Sequence, residues 1–398
     1  MNLRRSLADD VSLKMLRESL DGVGYVEHRV AERLGLWHVA GIAPPEYPMY
    51  AARLERHDDA LSLCVSLLLL QGEVSRPALE EVLGAQCVSG LISLGLLFRV
   101  GARRLAAAAS VYPCAGGYFV TDHAFRPVQR AARPAPAQPV MHLGQDSYAL
   151  AYLGLEPGRR GRVLDLCAGS GVHGILAGRR ARNATLVDVN PRAADFARLN
   201  AALNDAASHC DVRCGSLYDV LDADERFELV LANPPFVPSP SASRERLLFR
   251  DGGATGDAVL APVLRTLCSR LTPSGVGVVI SLFAERKRAC HETLIRKLVG
   301  ARSRASCLFL RIRDVAPEEL AFGMAWRPFE GDFASHVARH RRWGDAIAAA
   351  KVENLVFGIL IVRPAPLFSF DTLDFPLARA LSGHALGDLD GLGSTRAI

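Results

Sequence analysis

Between residues 143 and 365 short aliphatic runs alternate with longer alanine- and leucine-rich stretches, and no other feature of the chain restricts its fold as much. RVLDLC, ATLVDV, DVRCGS, FELVLA, GVGVVISLF, ASCLFLRIRD and NLVFGILIVRP read as seven strands. GVHGILAGRRA, PRAADFARLNAALN, GDAVLAPVLRTLCSRL and ERKRACHETLIRKLV read as the helices between them. Near-continuous aliphatic strands are buried on both faces, and helical crossovers cover both faces of a parallel sheet. The expected fold is therefore α/β, with seven mostly parallel strands. The last two strands are separated by residues 315–352, and a segment of that length without a function is uncommon. It carries Phe322, Met324, Trp326, Phe329, Phe333 and Trp343 and reads as helical from about Phe333 to Lys351. It is expected either to fold over a substrate or to dock against the N-terminal region. Residues 366–398 form a C-terminal tail without an assignment.

Residues 1–128 read as a mostly helical domain. DDALSLCVSLLLLQ starts at an Asp pair, SRPALEEVLG carries Pro77 in its first turn and Gly84 at its end, and CVSGLISLGLLFRV makes a third short helix. ASVYPCAGGYFVTD reads as two strands around Gly116-Gly117. Three helices and a hairpin outline a winged-helix-like unit, which either packs beside its neighbour or grips DNA or RNA. The Pro/Ala/Arg-rich residues 129–142 read as a linker.

Composition narrows the setting. No apolar run approaches a membrane span of about 18 residues, and the N-terminus lacks the apolar core of a signal peptide. Nine scattered cysteines suit a reducing cytoplasm. Cys210 and Cys214 lack a second pair, so no metal site is expected. The net charge of +5 rests almost wholly on Arg in an Ala-rich chain, a compositional bias that weakens any argument to nucleic acid.

The candidate chemistry begins at VLANPPFVPS, residues 230–239. Two prolines cannot continue a central strand, so the strand stops at Ala232 and Asn233 to Phe236 form a stiff turn at its carboxyl end. That is where α/β sheets place ligands. Upstream, VLDLCAGSGVHG is a strand, a glycine-rich turn and a helix start, and Asp188 ends the next strand. Gly169 and Gly171 let the backbone approach a ligand, and Asp188 can accept hydrogen bonds from ribose hydroxyls, which together indicate a nucleoside cofactor. Residues 169–174 match the dinucleotide pattern G-x-G-x-x-G, which leaves a nicotinamide oxidoreductase as an alternative. Asp165 argues against it, because a carboxylate there would repel a pyrophosphate and pair with the ammonium of S-adenosylmethionine. Ala168 and Val189 flank the turn and Asp188 and are placed with the cofactor. Ser216 and Leu217 follow the third strand, where an adenine edge would lie.

DLCAGSG, VDVNP and NPPF resemble the motifs of class I S-adenosylmethionine-dependent methyltransferases. More narrowly they resemble the small-domain, amino-group branch that includes release-factor glutamine methyltransferases and ribosomal RNA guanine methyltransferases. FRDGGATGDAVLAPVL resembles the glycine-helix stretch that follows Asn-Pro-Pro there. The resemblance covers residues 140–365 and implies a Rossmann-like class I methyltransferase sheet. The residues themselves fit methyl transfer to nitrogen. The Asn233 side-chain carbonyl and the Pro234 carbonyl can accept both N–H bonds of a planar nitrogen and aim its lone pair. Those bonds strengthen as positive charge develops on nitrogen. Pro234 and Pro235 fix the geometry and Phe236 can stack on the planar group. Gln145, Asp146 and Tyr148 precede the first strand, and Tyr148 is placed over the methionyl end of the cofactor. His173 reads as packing, Asn200 as support for the Asp188 loop, and Arg250 and Asp251 as groups within reach of substrate. The expected activity is N-methylation of an amide or amino group on a protein or small molecule. The alternatives are an RNA or DNA base methyltransferase and a non-catalytic cofactor sensor.

Overall fold

The computed structural model describes residues 10–124, 136–155, 161–239, 247–287, 289–300, 304–325 and 332–382. The N-terminal helices are α1 (Asp10–Val23), α2 (Glu27–Leu34), α3 (Tyr47–Leu54) and α4 (Ala60–Leu68). Asp59 Oδ1 accepts the Ser62 N–H and caps α4. Then come β1 (Glu73–Ser75), α5 (Arg76–Leu83), α6 (Ala85–Ser93), β2 (Leu97–Val100) and β3 (Arg104–Ala107). These three strands form an antiparallel sheet in the order β1-β3-β2. The sequence CVSGLISLGLLFRV is therefore not one helix. Gly95 adopts a φ of 74°, which stops α6, and the residues after it pair with β3. The expected hairpin at Gly116 forms as β4 (Ser110–Cys114) and β5 (Gly117–Thr121), but as a separate two-stranded sheet.

The second half of the chain supplies α7 (Gln145–Gly154), β6 (Arg162–Leu166), α8 (Val172–Gly178), β7 (Asn183–Asp188), α9 (Pro191–Leu203), β8 (Cys210–Cys214) and β9 (Phe227–Ala232). It continues with α10 (Leu260–Arg270), β10 (Leu271–Glu285), α11 (His291–Val299), β11 (Ala305–Val315), α12 (Pro317–Ala325) and α13 (Phe333–Ala349). β12 (Asn354–Pro364), β13 (Ser369–Asp374) and α14 (Leu377–Ala380) complete it. The large sheet runs β13-β11-β12-β10-β9-β6-β7-β8. It is mixed: β12 is antiparallel to both β10 and β11, and the other pairs are parallel. It holds eight strands rather than seven. The added strand, β13, lies in the stretch without an assignment, and its mostly exposed side chains gave it no aliphatic signature. β6 lies between β7 and β9, so the winding of the chain reverses there and opens a crevice at the strands' carboxyl ends. Among the described residues no helix is long and apolar enough to cross a membrane.

The hairpin joins the two halves. In the β4–β5 pair the backbone groups of Tyr118 and Val120 point away from β4, and an unpaired buried edge is costly. Two asparagines one turn apart, Asn200 on α9 and Asn204 at its C-terminal cap, replace the missing strand. Asn204 Oδ1 accepts the Tyr118 N–H at 2.9 Å and its Nδ2 donates to the Tyr118 carbonyl at 2.6 Å. Asn200 Oδ1 accepts the Val120 N–H at 2.7 Å and its Nδ2 donates to the Val120 carbonyl at 2.9 Å and to the Ser170 carbonyl at 2.8 Å. Tyr25 and Tyr148, from opposite halves, donate to the hairpin carbonyls of Val111 and Pro113. One cluster of buried apolar side chains accordingly runs from Leu13 to Leu381.

Asn200→Ala leaves three buried backbone groups without their partner and should destabilise the protein by about 3 kcal/mol. It should also weaken ligand binding at the Ser170 turn. Asn204→Ala should cost comparable stability and leave that turn intact. Urea denaturation with and without ligand separates the two.

Candidate active site

A cavity of about 650 Å³ opens at the carboxyl ends of β6, β7 and β9, within the size range of small-ligand sites. Its first wall is the turn after β6. Gly169 N–H donates to Asp188 Oδ2 at 2.8 Å, and Asn190 N–H donates to Asp188 Oδ1 at 2.8 Å. The carboxylate is thus locked in place with acceptor capacity remaining on both oxygens. Burial raises its pKa and the two backbone donors oppose the rise. Gly171, at a φ of 80°, begins α8, and a Cβ there would stand 2.9 Å from Leu186 Cδ2. Cys167 holds a φ of 55° without being glycine, a strained conformation beside the cavity.

Ala168, Gly169, Asp188, Val189, Ser216 and Leu217 line this wall, with Asn233 and Pro235 opposite. Five other expected site residues are not among the lining. Asp165 is fully buried behind the turn, where its Oδ2 accepts the Gly174 N–H at 2.8 Å. Gly171 underlies the start of α8. Tyr148 is turned away, its hydroxyl on the Pro113 carbonyl and its ring edge-on to His38. Pro234 is buried. Phe236 packs on the core, and its carbonyl lies so close to Gly256 that a Cβ there would meet it at 2.8 Å. For Asp165 and Tyr148 the cause is a backbone N–H or carbonyl of a packed neighbour, which the sequence does not display.

Asp165 faces an unusual partner. Its Oδ1 and the Nδ1 of His173 lie 3.9 Å apart and neither has a hydrogen-bond partner. His173 Nε2 sits 3.0 Å from the Ser147 carbonyl, which can only accept, so that nitrogen carries the proton. Burial lowers the His173 pKa to about 4, which leaves the ring neutral and makes the contact something other than an ion pair. Burial, with the Asp188 charge adding to it, raises Asp165 from an ordinary 3.8 to about 7 against the Gly174 N–H.

The second wall follows β9. Asn233 Nδ2 donates to Asp146 Oδ2 at 2.9 Å. Asp251 also lines the cavity, whereas the Arg250 guanidinium stacks 5.3 Å from the Trp343 ring of α13. Residues of 315–352 contribute nothing to the lining among the described residues. They form α12 and α13, with Trp343 of α13 as the partner of Arg250, and Trp326 and Phe329 lie outside the described residues. Asn200 supports the Ser170 turn and the hairpin rather than the Asp188 loop.

The third wall was not read from the sequence. Gln138 to Leu143, most of them within the stretch read as a linker, run along the cavity. Asp122 accepts the Val140 N–H at 2.8 Å and pairs with Arg192. The Gln138 carbonyl accepts from Asn190 Nδ2, and its Oε1 accepts the Leu248 N–H at 2.9 Å. The apolar PVMHL inside a proline-rich stretch was the available signal. Residues 129–135 lie outside the described residues.

Residues 148–247 match the methyltransferase small domain family. A ribosomal protein uL3 glutamine methyltransferase of Bradyrhizobium diazoefficiens is 34% identical over 143 residues, 34% of this chain and 44% of that protein. The chain thus spans less than half the length of the curated relative it matches. Among solved structures, similarity extends to a ribosomal protein L11 methylase of Lactobacillus delbrueckii subsp. bulgaricus. That pair shares 15% identity with a TM-score of 0.30 over 53% of this chain and 76% of the other. Trm5b of Pyrococcus abyssi shares 11% with a TM-score of 0.36 over 66% and 61%. The strand order, the glycine turn and the family match over residues 148–247 together mark a methyltransferase-like α/β domain, for which the methyl donor is S-adenosylmethionine.

Asp165 supplies a prediction for the ligand-free protein. Native Asp165 keeps its proton to about 7, while the unfolded chain releases it near 3.8. Across that window the native state binds more protons, so this group lowers stability as pH rises. Asp165→Asn can still accept from Gly174 and can donate to His173 Nδ1. It should flatten the slope and gain stability on the order of 2–4 kcal/mol above pH 7. Urea unfolding at pH 5 and pH 8 measures it.

Proposed function

We propose that the chain methylates the side-chain amide of a glutamine in a protein, with ribosomal protein uL3 as the first acceptor to test. The observation that carries this reading is the Asn-Pro-Pro-Phe turn at the end of β9, whose Asn233 shares one cavity with Asp188. The similarity to a ribosomal protein uL3 glutamine methyltransferase supports the choice of acceptor.

In this reading Asp188 holds the ribose hydroxyls, the Gly169 turn takes the methionyl part, and Ser216 and Leu217 border the adenine. The bound cofactor supplies an electrophilic methyl group on a sulfonium. Asn233 Oδ1 accepts one N–H of the acceptor amide, and the Pro234 carbonyl, buried beside the cavity in this structure, takes the other once the acceptor is seated, which turns the nitrogen lone pair toward that methyl. Both bonds strengthen as the nitrogen becomes cationic, so their effect falls on turnover. The methylated nitrogen then sheds its proton readily, and no strong base is required. Phe236 anchors the turn from behind instead of stacking on substrate. Gln138 to Leu143 keep water from the reacting centre.

We propose that residues 1–128 hold a winged-helix-like domain, a reading supported by the order of helix, strand, two helices and hairpin over residues 60–107. Nucleic-acid gripping is the weaker use of it. α6 has no Lys or Arg, and it packs on α1, where Cys87 Sγ approaches the Ser12 carbonyl at 3.9 Å. A ribosomal-protein acceptor fits a cytoplasmic location.

Purified chain, cofactor and unmethylated uL3 should yield a one-methyl mass increase on a glutamine in tandem mass spectrometry. Label appearing on RNA instead would favour the base-methyltransferase alternative. Asn233→Ala should cut turnover by about 10²-fold and spare cofactor affinity. Asp188→Ala should weaken cofactor binding by on the order of 10- to 100-fold in calorimetry.

A further inference from the structure

We infer that Asp146 is a positioning residue: it fixes which way round the Asn233 amide stands, and so makes the site an acceptor for N–H groups. The inference rests on the N-methyltransferase reading for its functional meaning and on local geometry for its structural content.

An asparagine amide has two nearly isosteric ends, one donating and one accepting, and a flip exchanges them. A site built on Asn233 Oδ1 fails whenever the amide presents its NH₂ to the substrate. The Pro-Pro sequence fixes the backbone after Asn233 but leaves the amide torsion soft. Asp146 supplies what is missing. Its Oδ2 receives Asn233 Nδ2 at 2.9 Å, and a carboxylate can only accept, so the NH₂ end is held on this side. Oδ1 is left toward the cavity that Asn233 lines.

Asp146 is itself well held. It is 8% exposed, lies behind Asn233 and does not line the cavity. It occupies the first turn of α7, where the free N–H end of the helix favours a negative charge. Its neighbour Ser147 places a hydroxyl 3.5 Å from Oδ1. The titratable side chains that feel its charge are His142 and His173. Burial keeps both below the usual histidine range, so neither competes with Asn233 as a cation for the carboxylate. One face of the carboxylate therefore serves Asn233, 87 positions away in the chain.

The test uses the full-length protein saturated with S-adenosylhomocysteine. In the ¹⁵N–¹H spectrum the two Asn233 side-chain protons, assigned through Asn233→Ala, should be widely separated and slow to exchange. Asp146→Asn preserves shape but permits pairing in either sense, and it should collapse that separation with cofactor affinity within about twofold of wild type. On a glutamine acceptor the same variant should lose turnover by about 10-fold, with an unchanged KM for the cofactor. In an Asn233→Ala background Asp146→Asn should cost nothing further, since the group it orients is gone. An unaltered Asn233 signal in Asp146→Asn overturns the inference, as does a turnover loss that adds in full to that of Asn233→Ala. If wild type methylates no amide, the proposed function falls, and the Asn233 resonance still decides the role of Asp146.

Discussion

The side-chain amide of Asn200 makes three hydrogen bonds to two pieces of backbone that are far apart in sequence. Much of the architecture depends on it. With Asn204 one turn away, it gives β5 the edge partner that no strand provides, so a two-stranded hairpin can sit buried against a helix. Its third bond reaches the turn that borders the cavity. The N-terminal half is thereby tied to the Ser170 turn through one amide, as Asp122 ties it to Val140 and Arg192, and the shared apolar core leaves little room for the two halves to slide.

The cavity repeats this use of a fixed polar group to aim another. Asp188 is gripped by two backbone donors, Asp122 grips Val140 and Arg192, and Asp146 grips Asn233. In each case a carboxylate that could have faced water is spent on orientation, at places where the chain has no regular structure to set direction. In the proposed function, preorganisation of this kind is what uncharged acceptors need to act on a poor nucleophile, because no reorganisation is left for the moment of reaction.

The α/β character and the end of β9 at Ala232, just before Asn233, were legible in the sequence because they follow from local rules. Aliphatic runs mark doubly covered strands, and Pro234-Pro235 must end one. What was not legible depends on tertiary partners. Asp165 ends its strand as a cofactor-facing carboxylate would, yet the Gly174 N–H draws it behind the turn. Tyr148 is captured by a hairpin carbonyl from the other half of the chain. Residues 138–143 look like a linker because their order comes from Asp122, Asn190 and Leu248 rather than from each other. β13 escaped because an edge strand with exposed side chains needs no aliphatic pattern.

β12 lies between β10 and β11 although it follows both in the chain. On a ribosome, residues emerge from the N-terminus onward. β10 would therefore wait with an open hydrogen-bonding edge through the emergence of α11, β11, α12 and α13. Only when residues 354–364 are free can β12 slot in, pairing on both flanks at once. A chain cut short before that point would display two long apolar edges, the kind of surface that chaperones hold and proteases clear. Quality control of this protein is in that sense written into its strand order: a truncated copy announces itself.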